Sequence, residues 1–274
     1  MKFIKILSIL FITLFFSCDK IDIPLKEQTN TCGIDTIPIR KILIEDFTGH
    51  KCTNCPDASE ILQEIKNNYC DHIVPIAIHV SSFAAPSSEP FTNDYRTDAG
   101  NELDDYYEVS NEGLPNGLVN RKKYNNNFVI GKDNWETATN LLFSIPPEVY
   151  ISIESSYNDD TKEITATLTS KFLFDVDYAT NIGLYVTEDS IVSAQLSHTG
   201  IIYDYTHRHM LRKAITPTFG ESLLPSAFIN DEVTKTYKFF ADETWDIKHI
   251  ELVAFVSNSA TNEIIQAEVE HLNY

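Results

Sequence analysis

The sequence has no surplus of basic residues. Its 274 residues include 21 Lys and Arg against 40 Asp and Glu, which gives a formal net charge of −19. Nucleic-acid binding requires a basic surface that neutralises phosphates, so this class of function is excluded. Charge-driven adhesion to anionic lipid is excluded for the same reason. An acidic balance of this kind mainly keeps a protein soluble.

The sequence also lacks a membrane-spanning segment and the common cofactor motifs. The apolar run at residues 6–16 is too short to cross a bilayer, and no later apolar run approaches the length of a membrane-spanning helix. No glycine-rich phosphate loop and no G-x-S-x-G nucleophile turn occurs. The single C-x-x-C, from Cys52 to Cys55, supplies only half of the ligands of a structural zinc site. We therefore predict no cofactor and no bound metal.

The first residues are typical of an export signal. Two lysines precede the apolar run, and Ser17-Cys18 follows it directly. A small residue before a cysteine at this place resembles the lipobox of bacterial lipoproteins, which implies cleavage before Cys18 and acylation of its thiol. An ordinary signal peptide with a chance cysteine is the alternative. We interpret residues 1–17 as a lipoprotein signal peptide and residues 18–35 as an acylated N-terminus and tether, the one contact with the membrane.

Four cysteines remain once Cys18 is assigned to lipid. Disulfides persist in the oxidising compartment that exported proteins reach. Four cysteines allow three pairings. We favour Cys52 with Cys55 and Cys32 with Cys70, since the second bond would fix the tether to the end of the first predicted helix.

The first half of the chain alternates strands and helices. Residues 39–47 and residues 73–80 each form a predicted buried strand. Between them, from Pro56, apolar residues recur at helical spacing, and a proline suits the first turn of a helix. Strand, helix and strand in this order predict a parallel βαβ unit. Two consecutive prolines end the pattern, so we place an α/β domain at residues 36–146.

The second half, residues 147–274, changes to short segments of alternating polarity. Turn residues separate several of them, and no amphipathic helix intervenes. This pattern predicts an all-β antiparallel sandwich, immunoglobulin-like in architecture. The predicted strands are 149–156, 163–172, 182–188, 209–215, 234–240, 249–257 and 263–271.

Two histidines in the second half form a short pattern of their own. His207 and His209 are two residues apart, so on a strand both side chains would share one face. Such a pair binds a metal when a third ligand joins it. We interpret the pair instead as part of a solvated sheet surface.

The stretch around the cysteines is similar to that of thioredoxin-type proteins. Asp46 and Phe47 precede the first cysteine by six and five residues, as in that family, and Pro115 stands before a later predicted strand. The resemblance implies that Asp46 is the buried acid near the second cysteine. It also implies that Pro115 is the cis-proline that packs against the disulfide. The sequence departs from the family at Lys51, where an aromatic residue is usual, and in the Thr-Asn between the cysteines.

A second resemblance covers nearly the whole mature chain. The runs EDFTGHKCTNCP, IHVSSFAAP, LPNGLVNR and DYTHRHMLR resemble the twenty-eight-kilodalton outer membrane protein family. Its members are lipoproteins with a thioredoxin-like domain followed by a β-rich domain. The resemblance implies attachment to the outer membrane, facing the periplasm or the cell surface, and implies no particular activity.

Two functions fit the cysteine pair. In the first, the protein is a thiol–disulfide oxidoreductase for exported proteins that carry thiols or disulfides. The positive end of the helix, together with His50 and Lys51, favours the thiolate form of Cys52. Cys52 is expected to be the more exposed sulfur and to attack the substrate. Cys55 then resolves the mixed disulfide. By analogy with thioredoxin, Asp46 assists proton transfer to Cys55. In the second, the pair is only a structural disulfide in a surface binding or adhesion protein with an unknown ligand.

Overall fold

The computed structural model describes residues 39–274. The predicted signal peptide, Cys18 and Cys32 lie outside the described residues, so the predictions that concern them stay predictions. Within the described part, no helix is both long and apolar enough to cross a membrane.

The first half is a mixed α/β region, as predicted. β1 and β2 run parallel, with Ile42 opposite Ile73, and α1 connects them. β3 runs antiparallel along the other edge of β1. The elements are β1 (Ile42–Thr48), α1 (Cys55–Tyr69), β2 (Ile73–His79), α2 (Ser81–Ala84), α3 (Asp98–Tyr107), β3 (Asn116–Val119) and α4 (Trp135–Phe143).

Helix α1 begins and packs as its residue pattern predicts. Pro56 occupies its first turn, where a missing N–H removes no hydrogen bond. Asp57 lies in the same turn and complements the positive end of the helix. The buried face carries Ala58, Leu62 and Ile65 at helical spacing, against β1 and β2. The helix is thereby fixed with its first residue, Cys55, at the carboxyl end of β1.

The second half is built of antiparallel strands. All seven predicted strands are present, and three further strands, β7, β8 and β10, were not predicted. The strands are β4 (Val149–Asn158), β5 (Glu163–Phe172), β6 (Thr180–Glu188), β7 (Ile191–Ser197), β8 (Gly200–His207), β9 (Met210–Ala214), β10 (Glu221–Leu224), β11 (Glu232–Phe240), β12 (Ile250–Asn258) and β13 (Ile264–His271).

One long sheet joins the two halves. Its strand order is β13-β12-β6-β9-β2-β1-β3, with β10 paired to β6. The join lies between β2 and β9, which run parallel with Ala77 opposite Met210. β4, β5 and β11 form a separate three-stranded sheet, and β7 and β8 form a two-stranded hairpin. The predicted α/β and β-rich regions are confirmed, but they share a sheet.

The halves also share a hydrophobic core. One buried cluster contains Val74 and Leu118 from the first half and Leu211 and Phe255 from the second. A second cluster lies between the three-stranded sheet and strands β6 and β12. Separating the halves would expose the shared cluster to water, so we expect them to unfold together. The predicted boundary after residue 146 marks a change of structure rather than a change of core.

Candidate functional site

The predicted bond between Cys52 and Cys55 is present at the start of α1. The loop before the helix is tied to its surroundings by backbone hydrogen bonds. The N–H of Cys52 donates to the carbonyl of Gly49 at 2.9 Å, and the N–H of Lys51 donates to the carbonyl of Phe83 in α2 at 3.0 Å. The disulfide therefore lies in a loop that is closed by an internal turn at Gly49 and tied to α2 at Phe83. This is a helix N-terminus, where a thiolate released by reduction is stabilised.

The expected exposure of Cys52 is wrong. Cys52 is only 3% exposed and Cys55 only 2%. The cause is the β7–β8 hairpin of the second half, which lies against the cysteine loop and α1. The side-chain amide of Gln195 donates to the carbonyl of Cys52 at 3.0 Å, and the N–H of Leu196 donates to the carbonyl of His50 at 2.8 Å. Sequence reasoning missed both hairpin strands and with them the cover over the disulfide.

Asp46 is buried near the end of β1, the strand that leads into the cysteine loop. Its Oδ1 has no hydrogen-bond partner among the described residues. Burial raises the pKa of Asp46 to about 8. The carboxyl group lines a cavity of about 20 Å³ together with Ser59, which lies one helical turn beyond Cys55. A cavity of that size holds about one water molecule, which is enough to carry a proton.

Glu45, the neighbour of Asp46 on β1, has a full set of partners. The guanidinium of Arg121 donates to Glu45 from Nη2 at 2.6 Å and from Nε at 3.0 Å, and both side chains are completely buried. Nη2 also donates to the hydroxyl of Tyr185 in the second half at 3.2 Å. Burial by itself lowers the pKa of Arg121, but the charge and hydrogen bonds of Glu45, together with the charges of Tyr185 and Tyr107, outweigh burial and raise the pKa overall. This buried pair fastens the two halves together and was not predicted.

Three histidines surround the ring of Tyr95 between the cysteine loop and the hairpin. The centroid of Tyr95 lies 5.2 Å from that of His50, 5.4 Å from that of His79 and 5.7 Å from that of His207. Burial lowers the pKa of His50, lowers that of His79 well below its ordinary value and lowers that of His207 to about 4. The rings are therefore uncharged at neutral pH. The expectation that His50 brings positive charge to Cys52 is wrong, because its ring is packed away from water.

His207 and His209 are both buried and have different partners, so the interpretation of the pair as solvated sheet surface is wrong. His207 ends β8 and packs towards Tyr95. His209 lies in the turn before β9, where its φ of 49° redirects the chain. Its Nδ1 lies 2.9 Å from a carboxylate oxygen of Glu251, and its Nε2 lies 3.2 Å from Nζ of Lys66. Within residues 39–274, no group of three His, Cys, Asp or Glu side chains is arranged to hold a metal ion.

Pro115 lies directly before β3, and the Leu114–Pro115 peptide bond is cis, the isomer that the resemblance implied. In β3, Gly117 stands opposite Asp46. The proline thus reaches the end of the sheet at which the site lies. Cys70 follows α1 at its C-cap, and its predicted partner Cys32 lies outside the described residues, so their pairing stays a prediction.

A buried disulfide at a helix start, a buried acid in the strand that precedes it and a sheet shared by an α/β half and a β half define the class: a mixed α/β and β-sheet protein with a disulfide centre. Residues 100–273 match the sequence profile of the family described as outer membrane protein Omp28. The match spans more than half of the chain, so the chain belongs to the Omp28 family, as the resemblance implied. The expected outer-membrane location is thereby confirmed. No curated protein matches the chain.

Two solved structures are similar over most of the chain. HBP35 of Porphyromonas gingivalis is 16% identical with a TM-score of 0.64, covering 87% of this chain and 77% of that chain. Protein AGR_C_4864 from Agrobacterium tumefaciens is 14% identical with a TM-score of 0.51, covering 86% of this chain and 96% of that chain. At these identities the likeness concerns the fold alone.

Proposed function

We propose that this outer-membrane protein carries out thiol–disulfide exchange on exported proteins through Cys52 and Cys55. Asp46 is the observation that carries the proposal. A carboxyl group buried with an unpartnered oxygen weakens a fold, and a raised pKa beside a reactive group is typical of acid–base chemistry. A purely structural disulfide requires no such acid.

The geometry around the disulfide supports a thioredoxin-like assignment for residues 36–146. A parallel βαβ unit carries the cysteine pair at the start of its helix, and a cis-proline, Pro115, precedes the antiparallel strand beside Asp46. For residues 147–274 we retain the antiparallel sandwich, with the three-stranded sheet facing β6 and β12. For Cys18 we retain acylation as the link to the membrane.

The reaction transfers two electrons from the dithiol to a substrate disulfide. The thiolate of Cys52 attacks one substrate sulfur, forms a mixed disulfide and releases the other sulfur as a thiolate, which takes a proton from water. The ionised form of Asp46, which is the minor form at neutral pH because burial raises its pKa to about 8, then accepts the proton of Cys55, directly or through one water molecule. The Cys55 thiolate attacks the sulfur of Cys52, the internal disulfide forms, and the second substrate sulfur leaves as a thiolate. The same steps in reverse oxidise a substrate dithiol.

The hairpin must move before a substrate reaches Cys52. Its hydrogen bonds with the cysteine loop come from the Gln195 amide, which donates to the carbonyls of Gly49 and Cys52, and from the N–H of Leu196, which donates to the carbonyl of His50; its His207 ring also packs against Tyr95. Such hydrogen bonds break at modest free-energy cost, about 1 kcal/mol each. The hairpin thus acts as a cover that keeps small reductants away and yields to a protein that binds in its place.

The burial of both cysteines favours a second function. A disulfide that never opens would fasten the loop and leave the outer surface free to bind a ligand. In that case the protein is a surface binding or adhesion protein, and the pair only stabilises the fold.

Trapping of the covalent intermediate tests the proposal. In a Cys55→Ser variant the resolving thiol is absent, so mixed disulfides with exported proteins should accumulate at Cys52. They would be seen as bands on a non-reducing gel of the cell envelope that collapse on reduction. Cys52→Ser is the matched control, since it removes the same disulfide but leaves the resolving thiol of Cys55 in place of the attacking one.

Both variants must first retain the circular dichroism and tryptophan fluorescence of the unsubstituted chain, because an unfolded variant exposes either thiol. Bands with folded Cys55→Ser alone support exchange. If neither folded variant traps a partner while a known oxidoreductase trapped in the same cells does, the pair is structural and the binding function replaces this one.

A further inference from the structure

Two loops at one end of the three-stranded sheet carry three exposed, large apolar side chains. Phe174 is 49% exposed, Phe228 70% and Ile229 56%. The N–H of Ile229 donates to Oδ1 of Asp175 at 2.8 Å, and Val176 and Ala227 form an isolated antiparallel bridge. The two loops are therefore held together, and Phe174, Phe228 and Ile229 form one apolar tip. Clustered exposed apolar side chains of this size mark an interaction surface.

The residues behind the apolar tip are those that favour a membrane interface. On the adjoining strand ends, Tyr150 lies opposite Lys171, and Lys171 lies opposite Glu232. Tyr150 is itself exposed. Tyrosine and lysine combine an apolar body with a polar end, which suits the boundary between acyl chains and water.

The apolar tip lies at the end of the molecule where the described chain begins. The N–H of Leu173, next to Phe174, donates to the carbonyl of Glu148 at 2.8 Å. Two residues before Glu148, the carbonyl of Pro146 accepts a hydrogen bond from Nη1 of Arg40 at 3.4 Å. In the sequence, Arg40 follows the segment that begins at Cys18. The described chain therefore begins on the side of the molecule that carries the apolar tip.

We propose that the apolar tip inserts into the outer membrane as a second contact beyond the lipid anchor. Burial of Phe174, Phe228 and Ile229 among acyl chains supplies the free energy, since apolar area removed from water is stabilising. Asp175 and Asp231 flank the tip, so anionic headgroups are repelled, and the partner is a zwitterionic lipid surface. Such a contact would orient the disulfide site relative to the membrane.

Fluorescence quenching by lipid tests the contact directly. The full chain, purified from membranes, is reconstituted into phosphatidylcholine vesicles whose acyl chains carry bromine. Phe228→Trp places a reporter at the apolar tip, and Phe240→Trp is the matched control, at the opposite end of β11 and 64% exposed. The emission of Trp135 and Trp245 is subtracted with the unsubstituted chain. We expect quenching at position 228 to be about threefold stronger than at position 240, because an interfacial side chain reaches ~5–10 Å into the boundary region.

Two further measurements keep the outcome decisive. Phe174→Ser with Ile229→Ser should reduce the quenching at position 228 towards that of the control. Salt at about 1 M should leave the quenching unchanged, because the contact is apolar. Equal quenching at positions 228 and 240 overturns the proposal, and so does loss of quenching in salt. A tip that binds a protein partner instead would remain unquenched in these pure lipid vesicles.

Discussion

Glu45 and Asp46 are consecutive residues of β1, both buried, and they have opposite environments. The carboxylate of Glu45 meets the guanidinium of Arg121 at 2.6 Å and is satisfied by it. The carboxyl of Asp46 lines a small cavity with Ser59 of α1 and has one oxygen unpartnered, and burial raises its pKa to about 8. Because side chains alternate across a strand, two adjacent acids serve two faces of one sheet.

The difference between their environments assigns a structural role to Glu45 and a chemical role to Asp46. The Glu45–Arg121 pair connects β1 to the second half through Tyr185. Asp46 stabilises nothing that the structure shows, and its place is explained by a proton that it can give and take. Each of the following variants alters one side of this contrast.

Arg121→Met should have the largest effect. It leaves the carboxylate of Glu45 buried without its partner, which typically costs about 3–5 kcal/mol of unfolding free energy. Chemical denaturation of the full chain measures it. Lys122→Met, next in sequence, is the control, because its pair with Glu263 is partly exposed and is worth at most about 1 kcal/mol.

A double variant shows whether the loss arises from the unpaired charge. Glu45→Leu combined with Arg121→Met replaces both charges with apolar side chains and should recover most of the stability. A double variant as unstable as Arg121→Met alone would show that the pair is not what holds this region.

Asp46→Asn should stabilise the protein, increasingly so at higher pH. The folded-state pKa of Asp46, about 8, lies above its ordinary value of 3.8. Between these values the folded protein retains a proton that the unfolded chain releases, so Asp46 lowers stability as pH rises through that window. This contribution is absent from the Asp46→Asn variant, whose side chain does not titrate. The difference in unfolding free energy between the variant and the unsubstituted chain should therefore grow by about 3 kcal/mol from about pH 5 to about pH 7, at ~1.4 kcal/mol per pH unit.

Denaturation curves of both chains at each pH give this difference. Acid destabilisation from the buried histidines is common to both chains and cancels. An advantage that is constant across the range would mean that Asp46 is charged throughout and that its burial does not control it.

Gln195→Ala should have the smallest effect on stability, about 2 kcal/mol, because it removes the two neutral hydrogen bonds to the carbonyls of Gly49 and Cys52. Its effect on access to the disulfide is more informative. Loss of about 2 kcal/mol from the closed hairpin should speed reduction of the disulfide by a small phosphine about thirtyfold. Asp204→Ala, an exposed position on β8 of the same hairpin, should leave the rate unchanged. Equal rates in both variants would show that the hairpin does not limit access.

The elements around the cysteines could be predicted from the sequence because their signals are local. The spacing of Cys52 and Cys55, the proline at the start of α1 and the buried runs of β1 and β2 lie within one βαβ unit. The alternating pattern likewise located seven strands of the second half. The disulfide followed from an exported chain with one C-x-x-C.

The rest depends on contacts between distant parts of the chain. A two-stranded hairpin such as β7–β8 is only marginally stable by itself. Its stability depends on contacts with the distant cysteine loop, so the pattern of its own residues does not indicate it. Glu45 and Arg121 are 76 positions apart, and nothing in either residue's neighbourhood indicates the other. The join of β2 to β9 rests on a short register around Ala77 and Met210, which buried-strand patterns do not specify. Burial of Cys52 and of His50 follows from these contacts.

The reduction potential of the Cys52–Cys55 bond tests the central claim most directly. The full chain is equilibrated with thiol–disulfide buffers of known potential, and the oxidised fraction is counted by mass spectrometry after alkylation. If the pair exchanges electrons with exported proteins, the potential lies well above about −300 mV, within reach of the partners that such proteins present. A potential below about −300 mV would contradict the account, because a bond that resists reduction to that degree is a permanent staple.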